Sequence, residues 1–411
     1  MILQKYDSYK DSGIEWVGEI PENWEVKRGK DLFRLSNIAA KKGHDLQLLS
    51  VYSSIGVRPR SELEQRGNKA FNIDEYWIVK KGDIIINKLL AWMGGIGLSK
   101  YDGVTSPAYD ILRKKITLNE RYYELLFRLK KSQIEFKRHS RGILEIRLRL
   151  YNDRFNQISF YYPRKEEQDL IVNFLNLKTS QINSKIKLLQ EKIRNYEDLK
   201  KSVINETVCR GLNKKVELKN SSIEWIGEIP KHWGLTRGKI VFYELKKSNI
   251  SASEGKDKGK YKFFTSSVNQ SKWLSTYTEN DEGIIFSTGG IAGVHYCKKE
   301  FSYSTDCWTI KSNKEFLKYY YYYFKSILYE INTIAFRGAG LNHLQRDFIT
   351  QTCLPNPPKE EQMEIANYLD EKTLKIDTIV SKIKDQIKTL KEFRKTLIND
   401  VVTGKVRVQD E

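Results

Sequence analysis

The chain has little of what metal and redox chemistry require. Its four cysteines (Cys209, Cys297, Cys307, Cys353) never fall in CxxC spacing, so they read as ordinary thiols, outside any disulfide framework or zinc site. The five histidines (His44, His139, His232, His295, His343) are scattered with no pair at ligand spacing, and no metal is assigned. No apolar run approaches ~18 residues. The opening MILQKYDSYK lacks a signal-peptide stretch, so cytoplasmic residence is expected. Phosphate-cradling glycine motifs are missing as well. Gly94-Gly95-Ile96-Gly97 and Gly289-Gly290-Ile291-Ala292-Gly293 each follow a strand-like run, and neither is a GxGxxG opening a helix or a GK[ST] loop. Both read as turns in binding loops.

What the chain does have is itself, twice. Residues 14–30 read IEWVGEIPENWEVKRGK and residues 223–239 read IEWIGEIPKHWGLTRGK. At an offset of 209, Ile14, Glu15, Trp16, Gly18, Glu19, Ile20, Pro21, Trp24, Arg28, Gly29 and Lys30 all recur. RKEEQDLIVNFL (164–175) returns as PKEEQMEIANYL (358–369) at an offset of 194. A duplicated frame around divergent interiors suits recognition of two different things at a fixed separation. At 411 residues, two duplicated halves are also the comfortable size.

The net charge of +19 calls for a polyanionic partner. Residues 165–207 carry 8 basic and 7 acidic groups and residues 359–402 carry 9 of each, whereas residues 1–164 have a net +10 and residues 208–358 a net +8. The excess therefore belongs to the two segments that precede the neutral stretches.

Those neutral stretches read as helices. Ile171, Leu175, Ile182, Ile186, Leu189, Ile193 and Tyr196 recur mostly at three- and four-residue steps, as do Ile365, Leu369, Ile376, Val380, Ile383, Ile387, Leu390 and Leu397, with no proline or glycine inside. Stripes this narrow are coiled-coil seams. Each seam needs cover, and the simplest cover is the other copy. An antiparallel pair is favoured, because the second globular segment leaves one helix end and feeds the other helix's start. Glycines follow the ends (Gly211, Gly404), and Pro163, Pro357 and Pro358 precede the starts. A helix of forty-odd residues is roughly 65 Å long, so one or two extra turns near residue 207 are expected to change the separation of the globular segments.

The globular segments read as mixed strand and helix: strands at 82–87, 106–112, 283–288 and 305–311, helices at 119–138 and 314–331. The tyrosine run Tyr319–Tyr323 reads as helix packing. Arg141-Gly142, with Arg147 and Arg149 close behind, precedes the first long helix. Arg337-Gly338, followed by Asn342, His343, Gln345 and Arg346, precedes the second. Arginine can bind guanine edges bidentately and amides can bind adenine, while cations in general neutralise phosphate. Lys41, Lys42, Arg58, Arg60 and Lys88 are further candidates in the first segment, with Lys246, Lys247, Lys256, Lys258 and Lys260 in the second. Asn356-Pro357-Pro358-Lys359 is similar to the Asn-Pro-Pro-aromatic motif of adenine methyltransferases, but lysine stands where the stacking ring is needed. It reads as a helix start.

The paired IEW-GEIP-W openings, the LAWMGGIGLSKYDGVTSPAYDIL stretch (90–112) and the twin KEEQ-led helices resemble the specificity subunit of type I restriction–modification systems, over essentially the whole chain. The resemblance implies an α+β fold: two mixed α/β target-recognition domains separated by two long antiparallel coiled-coil helices, in a pseudo-twofold internal repeat. Residues 1–164 and 213–358 would be the recognition domains, and 165–212 and 359–411 the spacer helices. It further implies a non-catalytic subunit that reads a bipartite sequence in double-stranded DNA. Two methyltransferase subunits, plus restriction subunits, would dock on it, with S-adenosylmethionine, ATP and magnesium held by those partners. Two rivals remain: a coiled-coil scaffold binding nucleic acid without sequence preference, and a self-contained nuclease or methyltransferase, which the missing cofactor motifs disfavour.

Overall fold

The computed structural model describes residues 2–53, 55–62, 74–142, 148–338 and 342–409. The chain forms two compact units: Met1–Lys187 with Gln386–Glu411, and Leu188–Asp385. No helix among the described residues is long and apolar enough to cross a membrane.

The first unit is built on an antiparallel sheet of β1 (Phe33–Leu35), β2 (Ile84–Asn87), β3 (Ile96–Leu98) and β4 (Tyr109–Lys114), in the order β3-β2-β4-β1. Every residue of β2 is buried, as expected of a continuous apolar strand. Two helices follow, α1 (Glu120–Phe127) and α2 (Lys130–His139), where the sequence predicts one over 119–138. Leu129 is extended, and the Ser132 hydroxyl donates to the Leu126 carbonyl at 2.6 Å. The bend lets Phe127 and Phe136 meet edge-on at 5.8 Å inside a cluster with Phe33, Phe155 and Phe160, a geometry aromatic rings favour. The first long helix, α3 (Lys165–Arg210), comes next.

The second unit repeats this plan. Its sheet of β5 (Tyr243–Glu244), β6 (Gly283–Ser287), β7 (Val294–Cys297) and β8 (Cys307–Lys311) has the order β5-β8-β6-β7. Helix α4 (Leu317–Ser326) is shorter than the predicted 314–331, which goes on through a short turn and a π-helical turn, Ile331–Ala335. Tyr319, Tyr320 and Tyr323 are fully buried, so the tyrosine run is core. The second long helix is α5 (Lys359–Val402).

Within each unit the segments of α3 and α5 run antiparallel. In the first, Asn119 meets Gln168 near the start of α3 while the Tyr122 hydroxyl meets the Val402 carbonyl at the end of α5, and Arg394 bonds Asn183 between them. In the second, Phe316 meets Gln362, the Tyr319 hydroxyl meets the Val208 carbonyl, and Lys200 pairs with Asp377 at 2.7 Å. These are the same contacts, residue for residue, with the two helices exchanged. Ile182, Ile186, Ile376, Val380, Ile383 and Ile387 are buried along the stripes, and Leu189, Ile193, Tyr196 and Leu390 are half-buried.

The repeated motif is the joint between helix and domain. Trp24 and Trp233 are buried beside the glycines that end α5 and α3. Gly404 (φ +73°) and Gly211 (φ +71°) are left-handed, and a Cβ on Gly404 would lie 2.7 Å from Pro21. Gly29 and Gly238 allow close approach, since a Cβ there would lie 2.5 Å and 2.1 Å from the carbonyls of Phe155 and Ile349. In the first unit, strand Ile2–Gln4 pairs with Arg407–Gln409.

Candidate nucleic-acid interface

In each unit the central strand runs out into the glycine loop, and the arginine–glycine segment before the long helix is pinned to that loop. In the first unit the Leu150 N–H donates to the Lys88 carbonyl at 2.9 Å. In the second the Leu344 N–H donates to the Thr288 carbonyl at 3.0 Å. Two segments far apart in sequence therefore share one face in both units.

On the first face, Arg141 and Arg149 exchange backbone hydrogen bonds at 3.0 and 2.9 Å, and both are exposed. The Lys88 ammonium is drawn back to the Pro107 carbonyl (3.0 Å) and Asp110 (3.5 Å). Arg147 lies outside the described residues.

On the second face, Arg337 pairs with His343 in a two-residue ladder, and His343 bridges Gly289. The Gly290 N–H donates to the Asn342 carbonyl at 3.2 Å. Gln345 follows, its N–H on the Ala335 carbonyl at 2.7 Å. Arg346 ion-pairs with Glu244 at 3.2 Å and lies over the Trp308 ring at 5.6 Å. The same Glu244 oxygen takes the Trp308 indole N–H at 2.8 Å. Carboxylate and ring together fix the direction of an exposed guanidinium, which suits bidentate recognition. The structure thus brings Arg337, Asn342, His343, Gln345 and Arg346 together, all exposed.

The remaining candidates are dispersed. Lys41 and Lys42 are exposed, with Lys42 4.0 Å from Glu75, and Arg58 donates to the Tyr101 hydroxyl at 3.1 Å. Burial raises the Tyr109 phenol, and the nearby Arg60 pulls against that rise. Lys246 and Lys247 are exposed, the Lys246 carbonyl taking the Tyr303 hydroxyl. Lys256 pairs through its backbone with Trp273, and Lys260 lies over the Tyr261 ring at 5.0 Å. Sequence reasoning missed the supporting pair Glu244 and Trp308, which are distant from Arg346 in sequence and carry no motif. It also missed Leu89, Leu90 and Met93, which carry no polar signal and are all three exposed.

Among the described residues no group of three His, Cys, Asp or Glu could hold a metal ion. Burial pushes the Cys209 thiol up to about 12 and Cys307 to about 11, which keeps both protonated and unreactive near neutral pH.

The family model for the type I restriction modification DNA specificity domain matches residues 21–194 and again 237–389. The chain belongs to this family. It is a DNA sequence-specificity subunit with two recognition domains. Among its relatives is the putative type I restriction enzyme MjaX specificity subunit of Methanocaldococcus jannaschii, 24% identical over 100% of this chain and 99% of that one. The MjaVIII specificity subunit of the same organism is 22% identical over 95% of each. In fold, the specificity subunit is similar to a chain from a structural study of complex assembly and conformational transition of the type I R-M system (TM-score 0.68, 14% identity, 93% of this chain and 98% of that one). It is also similar to the HsdS subunit of Thermoanaerobacter tengcongensis (TM-score 0.55, 14% identity, covering 94% and 98%). The family model matches twice, and each match runs from a globular segment into the long helix that follows it.

Proposed function

We propose that this specificity subunit reads a bipartite, asymmetric DNA target, one half with each loop face, while its long helices dock methyltransferase and restriction subunits in the cytoplasm. One observation carries the reading. The two units share the helix-to-domain contacts of Gln168 and Gln362 and of Tyr122 and Tyr319, yet their exposed loop faces carry different side chains. Binding to phosphate alone would not need two different faces, because the backbone is the same along any duplex. On this reading S-adenosylmethionine, ATP and magnesium are held by the partner subunits, and this chain supplies the address.

The test is methylation sequencing of the genome in cells expressing the chain with a methyltransferase subunit, against a deletion control. A bipartite N6-methyladenine motif that depends on the chain is the expected result. No motif, with an active and bound partner, would leave a scaffold that binds nucleic acid without sequence preference.

A further inference from the structure

The loop from Lys88 to Gly95 is rigid and apolar at its tip. Asn87 donates its N–H to the Gly95 carbonyl at 2.8 Å, Gly95 donates to the Leu90 carbonyl at 2.7 Å, and Met93 donates to the same carbonyl at 2.9 Å. Its own side chain holds it too, the Leu89 N–H on the Asn87 amide oxygen at 3.1 Å. Gly94 turns at φ +81°, and a Cβ on Gly95 would lie 2.7 Å from the Leu90 Cβ. Ala91 is fully buried and anchors the turn. On this clamped backbone Leu89, Leu90 and Met93 are 37%, 38% and 53% exposed. Fixed apolar side chains in water gain nothing from their exposure, and grouped together they mark an interaction site.

The loop offers little else. Its one cationic side chain, Lys88, is drawn back to Pro107 and Asp110. Trp92 is half-buried with the Lys137 ammonium over its ring at 5.5 Å. The tip can therefore make apolar contact with a base edge but cannot hydrogen-bond one through its side chains. In the major groove the apolar feature is the C5-methyl of thymine. Arg141 and Arg149, joined to this loop through Leu150, place two exposed cations beside it. The second face, with Arg337, Asn342, His343 and Gln345, is instead rich in donors and acceptors.

We propose that the first recognition domain reads thymine methyl groups in its half-site through Leu89, Leu90 and Met93. The inference rests on the specificity reading above. Its test uses the complex of this chain with its methyltransferase subunits. The half-site read by the first domain is the one left unchanged when residues 213–358 are exchanged. Target duplexes with deoxyuridine in place of each thymine then remove one methyl group at a time.

In that half-site, one or more substitutions are expected to slow methylation about three- to fivefold each, the factor for one buried methyl group. The double variant Leu89→Ala, Met93→Ala loses that penalty, while Ile291→Ala, on the other face, keeps it. A half-site without thymine, substitutions that are all neutral, or an unchanged penalty in the double variant overturns the proposal. A double variant that no longer copurifies with the methyltransferase subunits also overturns it, and assigns the loop to protein docking. Absence of any bipartite motif on unsubstituted DNA removes the functional reading, and this inference with it.

Discussion

Gln168 and Gln362, the last residues of the two KEEQ motifs, are fully buried. Each amide joins three parts of its unit. The Gln362 oxygen takes the Phe316 N–H at 2.9 Å at the start of α4, and its nitrogen donates to the Pro357 carbonyl at 3.0 Å and to Glu315 at 2.6 Å. Gln168 does the same with Asn119 and Pro163 at 2.8 Å each. Removing such an amide strands a buried N–H, which costs about 1–3 kcal/mol. Gln362→Ala is therefore expected to lower stability by ~2 kcal/mol, read as a fall in the urea midpoint, with the recognition faces untouched. The glutamates before them act at the same joint: Glu361 takes the Trp233 indole N–H at 3.0 Å and Glu167 the Tyr6 hydroxyl at 2.6 Å. Thus the most repeated residues of the chain hold domains to helices, and the candidate readers lie where the copies differ.

The long helices are the elements whose sequence was most transparent, and their packing changes what can be done to them. The apolar stripe locates α3 and α5 closely, but it does not say which residues each unit owns. Thr207 is buried and the Val208 carbonyl holds the Tyr319 hydroxyl. An insertion near residue 207 therefore breaks the second unit's joint and is a poor test of spacing. The divide between units falls at Lys187–Leu188 and Asp385–Gln386, and because the segments are antiparallel both helices must be lengthened there together. Seven residues added at both places keep the stripe in register and lengthen each helix by about 10 Å. Methylation mapping of that variant is expected to give unchanged half-sites with a gap wider by about 3 base pairs. An unchanged gap would mean that the helices do not set the spacing.

For the whole molecule, the duplication makes the two recognition surfaces separable. Each unit has its own sheet, core and loop face, and the second sits on a frame whose contacts the first reproduces. Exchanging 213–358 for the corresponding segment of another family member is therefore expected to change one half-site and leave the other intact, as read by methylation sequencing. Loss of both halves would show that the domains do not recognise DNA independently. The charge pattern agrees with this division, since the net +10 and +8 of the two globular segments and the near-neutral helices put the positive excess in the same segments as the loop faces.

The sequence by itself determined the duplication, the two long helices, the buried central strands and the family, because periodicity and repetition are local properties that survive without coordinates. It also brought most of the second loop face into view, since Arg337, Asn342, His343, Gln345 and Arg346 are close neighbours along the chain. Only the tertiary structure joined those residues to the Gly289–Gly290 loop, set Glu244 and Trp308 behind Arg346, and turned Leu89, Leu90 and Met93 outward. The first two depend on hydrogen bonds and packing between segments far apart in sequence, and the third on a turn closed by its own backbone hydrogen bonds. An apolar run has the same composition whether a clamped turn exposes it or a core covers it, and only the fold makes that choice.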